Sequence, residues 1–195
     1  KLIFEKFFMN KENGYFVDLG AYDGIDGSNT YFFEKLLGWK GVLVEPSKNQ
    51  YLKLKENRNN NCINKAISTT NEKLEFIDVV SGYKQMSGLN QSYYKDTLEI
   101  LNSDLNSKTD IYQVETSTFK DLVSEKEIDY LSIDIEGGEL DVLNSIDFNA
   151  YKIKVISVEN NKPNQISYKE LFLENGYNFF DFCGADEIYY NPSLL

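Results

Sequence analysis

Four carboxylates stand at the ends of short apolar runs, where each is placed to do chemistry. Asp18 falls near the end of Tyr15-Phe16-Val17-Asp18-Leu19, Glu45 follows Gly41 to Val44, Asp134 follows Ile128 to Ile133, and Glu159 follows Val155 to Val158. Ligands of open α/β sheets bind outside the carboxyl ends of the strands, where these acids would lie. The segment Asp134-Ile135-Glu136-Gly137-Gly138-Glu139 concentrates the pattern. In extended chain, residues i and i+2 share a face, so Asp134 and Glu136 should point together, with Glu159 and Asn160 beside them. Two glycines let the backbone approach a ligand. Such a trio has two uses. It can bind a divalent cation, Mg or Mn, through hard oxygen ligands. Or one acid, its pKa raised by its neighbours, can act as general base toward a hydroxyl. The plainer alternative is that Asp134 or Glu139 caps the next helix. Function is preferred for Asp134 and Glu136, and Glu139 stays open. The chain has no histidine, which removes His-based triads. A carboxylate, Lys65 or a metal must then activate an oxygen nucleophile.

The second constellation is the glycine turn Gly20-Ala21-Tyr22-Asp23-Gly24, with Glu45 about 20 residues on. A dinucleotide loop wants G-x-G-x-x-G so that backbone can approach a pyrophosphate. Here Tyr22 takes the middle glycine position, and Asp18, Asp23 and Asp26 make the loop acidic. A pyrophosphate would be repelled. S-adenosylmethionine (SAM) carries a sulfonium and an ammonium, so this acidity suits it. Glu45, with Pro46 after it, is placed to accept ribose hydroxyls. Asp18 and the backbone near Gly20 would sit by the amino-acid moiety. Gly24 and Ser28-Asn29 are candidates for its carboxylate. Asn64-Lys65-Ala66-Ile67 is placed to flank the adenine. The competing view is a plain strand-to-helix turn with a solvated acid. The loop, the acid and the strand context together favour nucleoside binding.

These residues need a scaffold. Strands are expected over Tyr15–Leu19, Gly41–Val44, Cys62–Asn64, Leu74–Val80, Ile111–Val114, Ile128–Asp134, Val155–Val158, Phe179–Phe182 and Glu187–Tyr190. A lead-in helix is expected over Lys1–Glu12. Others follow an N-cap at Ser28-Asn29-Thr30 and end at Gly38, run from Ser47 to Asn57, and cover Ser92–Leu105. Phe119 to Val123, Glu139 to Ile146, and Tyr168 to Gly176 complete the set. Strands alternating with helices predict an α/β domain with a mostly parallel sheet and helices on both faces, closed by an antiparallel hairpin at one edge. The stretch from Ser68 to Val114 is the least regular. Trp39 is assigned to packing. Tyr83, Tyr93 and Tyr94 are read as core rather than as stacking platforms for a sugar.

The bulk numbers fit one domain over 1–195. Of its 195 residues, 42% are hydrophobic and 26% charged, with a net charge of −11. That balance, with scattered lysines, argues against nucleic acid and against an anionic membrane surface. No apolar run is long enough to span a bilayer. The first residues lack a signal-peptide pattern, but the chain opens at Lys1 rather than Met, as either an excised domain or a chain lacking its first residues would, which weakens any expectation about targeting. Cys62 and Cys183 are expected as buried free thiols, which fits a reducing, cytoplasmic setting.

At these motifs the chain resembles the FkbM family of SAM-dependent methyltransferases. The resemblance rests on Phe16 to Gly24, Ser28-Asn29-Thr30, Gly38-Trp39-Lys40-Gly41, Val44-Glu45-Pro46, Ile128 to Gly137 and Val158-Glu159-Asn160. Residues 81–109 match it poorly beyond Met86-Ser87-Gly88-Leu89 and read as a substrate-facing insertion. The resemblance implies a class I methyltransferase fold, Rossmann-like, with a seven-stranded sheet containing one antiparallel strand. It also implies methyl transfer from SAM to an acceptor hydroxyl, the family's acceptors including sugars of glycans and polyketide hydroxyls. The absence of a His after Glu159 departs from many relatives.

The combined expectation is a SAM-dependent O-methyltransferase for a sugar, glycan or similar polyhydroxylated small molecule. Asp134, Glu136 and Glu159 are the catalytic candidates, and the metal candidates if a metal is used. Asp18, Gly20, Tyr22, Asp23, Gly24, Ser28, Asn29, Glu45, Pro46, Lys65, Ala66, Ile67 and Asp134 would frame SAM. Two alternatives are an NAD-dependent enzyme, and an inactive SAM-fold module that serves as a partner surface.

Overall fold

The computed structural model describes residues 1–9 and 11–195. A seven-stranded sheet carries the fold. Its parallel part is built from β1 (Tyr15–Leu19), β2 (Lys40–Val44), β3 (Asn61–Ile63), β8 (Glu127–Ile133) and β9 (Lys152–Glu159). A hairpin of β10 (Asn178–Cys183) and β11 (Asp186–Tyr190) completes it, giving the order β10-β11-β9-β8-β1-β2-β3. The antiparallel pairings are confined to one edge, as expected. The reversed strand is β11, which runs against both β9 and β10.

Alternation along the strands sorts the core into two layers. Val17, Leu19, Val42, Val44, Leu131 and Ile133 face one side. They pack there with α4 (Phe119–Leu122), α5 (Glu139–Ser145) and α6 (Lys169–Glu174). Phe16, Leu43, Tyr130 and Val155 face the other. They meet Phe33 of α1 (Tyr31–Leu37) and Leu54 of α2 (Lys48–Asn57). Strands buried on both faces explain the near-continuous apolar runs. Trp39 is core, 1% exposed and packed on Phe8 and Phe33.

The irregular middle is a second sheet. β4 (Ala66–Ile67), β5 (Lys73–Ser81), β6 (Gly88–Leu89) and β7 (Lys108–Ser117) pair in the order β4-β7-β5-β6. Residues 81–109 hold β6, a short 3-10 turn and α3 (Lys95–Ser103) between its two long strands. Small cores of Ala66, Phe76, Leu89 and Val114, and of Ile77, Val79, Tyr93 and Leu101, anchor it.

Several local expectations change. The lead-in helix is a short π-helical turn, Phe4–Phe8; of the range expected for it, Asn10 lies outside the described residues. The third strand stops at Ile63 because Asn64 turns its amide onto the carbonyls of Glu45 and Pro46, at 2.8 and 3.1 Å. Thr30 begins α1 without a side-chain cap; Ser28 Oγ takes the N–H groups of Thr30 and Tyr31 instead. Cys183 is exposed rather than buried, because it lies on the open hairpin, and Cys62 is partly buried. Both are free thiols. Tyr83 is exposed, while Tyr93 is buried. No helix among the described residues is long and apolar enough to cross a membrane.

Candidate active site

The chain reverses direction of travel across the sheet between β1 and β8, which are parallel neighbours joined through all the intervening elements. A cleft of about 1080 Å³, counted to its open mouth, lies there. It sits outside the carboxyl ends of the strands, where a topological switch point leaves a crevice. Six carboxylates line it: Asp18, Asp26, Glu45, Asp134, Glu136 and Glu159.

The floor is the contact of β1 with β8. The Asp134 N–H donates to the Leu19 carbonyl at 2.9 Å, and the N–H groups of Gly20 and Ala21 donate to the Val44 carbonyl at 3.0 Å. Gly20 has φ +88°, and a Cβ there would lie 1.6 Å from the Asp134 carbonyl oxygen. Only glycine allows this approach.

One half of the cleft centres on Glu45. This acid is 6% exposed. Its Oε2 accepts the Tyr22 N–H at 2.8 Å and its Oε1 accepts the Ser47 N–H at 2.7 Å. Burial pushes its pKa up to about 8; the two N–H bonds oppose the rise, and Asp78 and Asp18 add to it. Tyr22 turns left-handed, with φ +50°. Its N–H thereby meets Glu45. Each Glu45 oxygen keeps acceptor capacity after its single backbone bond. Ala66, Ile67, Phe76, Leu89 and Pro46 supply apolar lining.

Under the loop lies Arg58, the chain's single arginine. Its side chain is fully buried. Nε donates to Glu34 Oε2 at 2.7 Å, Nη1 to the Gly24 carbonyl at 3.1 Å and to Ser28 Oγ at 3.2 Å, and Nη2 to Thr30 Oγ1 at 3.0 Å. Thr30 Oγ1 in turn donates to Asp18. Burial raises the Asp18 pKa, while the Thr30 bond and the Arg58 charge hold it down.

The other half is the acid trio. Asp134, Glu136 and Glu159 bring one oxygen each to within 4.8 Å of one another. Their convergence was expected, but not its cause. The strand ends at Ile133, and Glu136, Gly137 and Gly138 then take positive φ values of 57°, 123° and 88°. A left-handed turn, not a shared strand face, aims Glu136 at Asp134. Gly137 is needed because a Cβ there would stand 2.3 Å from the Ser92 carbonyl oxygen. Burial pushes Glu136 up to about 8, with Asp134 and Glu139 adding to it. Glu159 is pushed to about 8 as well, by burial and then by Glu136 and Glu139. Asp134 rises well above its ordinary value, through burial and then Glu159 and Asp186. Glu139, the first residue of α5, accepts the Gly137 N–H at 2.8 Å and does not line the cleft; α5 has no side-chain cap.

Of the expected cofactor residues, Asp18, Gly20, Tyr22, Ser28, Asn29, Glu45, Pro46, Ala66, Ile67 and Asp134 line the cleft, and Asp23, Gly24 and Lys65 do not. Asp23 Oδ1 is turned inward onto the N–H groups of Ile25 and Asp26. Gly24 packs on Arg58 and Leu54, and Lys65 faces Glu115 at 3.8 Å. Sequence reasoning missed Arg58, Gln50, Lys84, Gln85, Ser87 and Ser132. The one available signal was a lone arginine in a chain otherwise using lysine.

The sequence model of the methyltransferase FkbM domain matches residues 18–179. The chain belongs to the FkbM methyltransferase family. Among solved structures, this FkbM domain is similar to the methyltransferase FkbM from Methylobacillus flagellatus KT, at 12% identity and TM-score 0.51, over 91% of this chain and 43% of that one. It is also similar to a methyltransferase from Pyrococcus furiosus, at 11% identity and TM-score 0.50, over 97% of this chain and 80% of that one. At such identities the likeness is one of fold, the class I methyltransferase fold. The domain spans less than half of the Methylobacillus protein. No curated protein sequence matches it.

Proposed function

We propose that the domain is a SAM-dependent O-methyltransferase whose acceptor is a hydroxyl of a sugar, glycan or similar polyhydroxylated small molecule. The observation that carries this is the division of one cleft into two kinds of carboxylate. Glu45 is fixed by two backbone N–H groups, and Asp134, Glu136 and Glu159 face one another. The donor set fits SAM: an acidic cleft suits its cationic sulfonium and ammonium, and Glu45 keeps acceptor capacity for two hydroxyls. When bound, SAM supplies a methyl group open to displacement by an oxygen nucleophile. Ala66, Ile67 and Phe76 provide an apolar wall for a purine. Asp134, or Glu136 beside it, takes the proton from the acceptor hydroxyl. A carboxylate with a raised pKa is the better base near neutral pH. Segment 81–109 brings Lys84, Gln85, Ser87 and Leu89 to the cleft and contributes to acceptor recognition.

A metal-assisted version has its own support, in the three oxygens that lie close enough to share a cation. The acceptor hydroxyl would then be acidified by Mg or Mn held on Asp134, Glu136 and Glu159. Undiminished turnover after EDTA treatment excludes that version. The net charge of −11 favours a small-molecule or glycan acceptor over nucleic acid, and the free thiols fit a cytoplasmic setting. Turnover of labelled SAM against a glycan panel, with mass spectrometry of products, tests the reading. No calorimetric binding of SAM or S-adenosylhomocysteine would sink it. Tight NAD binding would point to a dehydrogenase, and cofactor binding without turnover to a partner module.

A further inference from the structure

A SAM-sized ligand brings a carboxylate into this cleft as well as two cations. The carboxylate has no obvious place among six acids. Of the side-chain donors expected for it at the start of α1, only the Ser28 hydroxyl is left. Gly24 is outside the cleft, its carbonyl accepting from Arg58 below the loop. Ser28 Oγ accepts from the Thr30 and Tyr31 N–H groups and from Arg58 Nη1, which leaves it one neutral O–H to donate and no charge to set against the acids. Asn29 Nδ2 donates to Ser132 Oγ and to Asp186 Oδ2, each at 3.2 Å. The Arg58 guanidinium is buried beneath the loop and does not line the cleft.

One cation does line it, and that is Lys84. Among the described residues, no carboxylate lies within ion-pair distance of its ammonium. Lys84 also lines a shallower hollow with Tyr22 and Asp26, so its side chain stands where segment 82–86 faces the loop after β1. Gln85, next to it, crosses to the same loop; a Cβ on Gly27 would lie 3.2 Å from Gln85 Nε2. The backbone under Lys84 is fixed. Its N–H donates to the Gly82 carbonyl at 2.9 Å. Ser87 Oγ donates to its carbonyl at 2.9 Å while accepting the Val79 N–H. A held backbone carrying an unpaired cation over an acidic cleft is built to meet an anion.

We infer that Lys84 is the binding residue for the carboxylate of the cofactor's amino-acid end. This rests on the SAM reading above. It also gives segment 81–109 a part in cofactor binding, which a purely substrate-facing insertion would not have. The ion pair offsets repulsion that the six acids would otherwise exert on that carboxylate.

The test compares SAM with its decarboxylated analogue, which differs only in lacking the carboxylate. Kd is measured by calorimetry for the wild-type domain, Lys84→Gln and Lys84→Arg. Lys84 is half-exposed, so neither variant is expected to disturb folding, and circular dichroism checks it. The expected result is that Lys84→Gln weakens SAM by ~10-fold, leaves the analogue within about twofold, and is largely rescued by arginine. Equal weakening of both ligands, or of neither, overturns the inference while leaving the SAM reading intact. Failure of the wild-type domain to bind either ligand overturns the SAM reading itself.

Discussion

The two halves of the cleft hold the same functional group in opposite surroundings. Glu45 is buried, but both its oxygens are met by backbone N–H groups. Asp134, Glu136 and Glu159 meet chiefly one another. Glu45, Glu136 and Glu159 are each pushed to about 8. The causes differ. For Glu45, burial outweighs hydrogen bonds that favour the charged form. For the trio, burial and mutual repulsion act in the same direction. A carboxylate tethered to backbone keeps its position, which suits the binding role proposed for Glu45. A carboxylate facing others is poised to shift its proton, which suits the catalytic role proposed for the trio.

That contrast can be broken most sharply at Asp134. Asp134→Asn removes the first candidate for the proposed base and keeps the shape. Turnover should fall by ~10²–10⁴, with S-adenosylhomocysteine binding changed only a few-fold; a comparable loss in binding would merge the two halves into one. Arg58→Ala comes next, because it takes the buried cation from Glu34 Oε2, leaving that acid its Oε1 partners Asn59 and Lys35, and frees Ser28 and Thr30. Removing one partner of a buried ion pair costs about 3–5 kcal/mol. Chemical denaturation should show that loss, and cofactor affinity should drop with it because the loop loses its support. Glu45→Ala should weaken S-adenosylhomocysteine by ~10–100-fold, as loss of two neutral hydrogen bonds would, while the pH profile of kcat keeps its shape.

The smallest effect is on stability against pH. A carboxyl raised from 4.5 to about 8 binds its proton more tightly in the native state than in the unfolded one. Between those values the native state carries more protons, so stability falls as pH rises through the window. Glu136→Gln removes one such group. It should raise Tm at pH 8 by about 2–4 °C, with little change at pH 4.5. An unchanged Tm at pH 8 would mean that the trio is not electrostatically strained.

The parallel sheet was legible because its strands are buried on both faces and read as near-continuous apolar runs, with few polar interruptions such as Asp18, Asp129 and Ser132. Phe16 to Leu19, Val42 to Val44 and Ile128 to Ile133 are of this kind. The second sheet was not legible as a unit. β7 has five exposed positions among its first six residues, and β4 and β6 are two residues each. Their pairing is decided by neighbours far along the chain. The site divides the same way. Gly20, Glu45, Asp134 and Glu159 follow from strand ends. Asp23 and Lys65 carry the right chemistry but spend it on Ile25, Asp26 and Glu115, which spacing does not reveal.

Residue types and spacing by themselves determined the α/β order, the acids at the strand ends, and a loop hostile to pyrophosphate. Each depends on local burial, alternation or charge. Tertiary structure alone decided that Glu136 reaches Asp134 through a left-handed turn, that Arg58 lies beneath the loop, and that Lys84 stands over the cleft. Each depends on a contact between distant segments: Arg58 with Glu34, 24 residues away, Gly137 of the left-handed turn with Ser92, and the segment of Lys84, through Gln85, with Gly27. Contacts at that range follow from how the layers pack, and no local pattern encodes them.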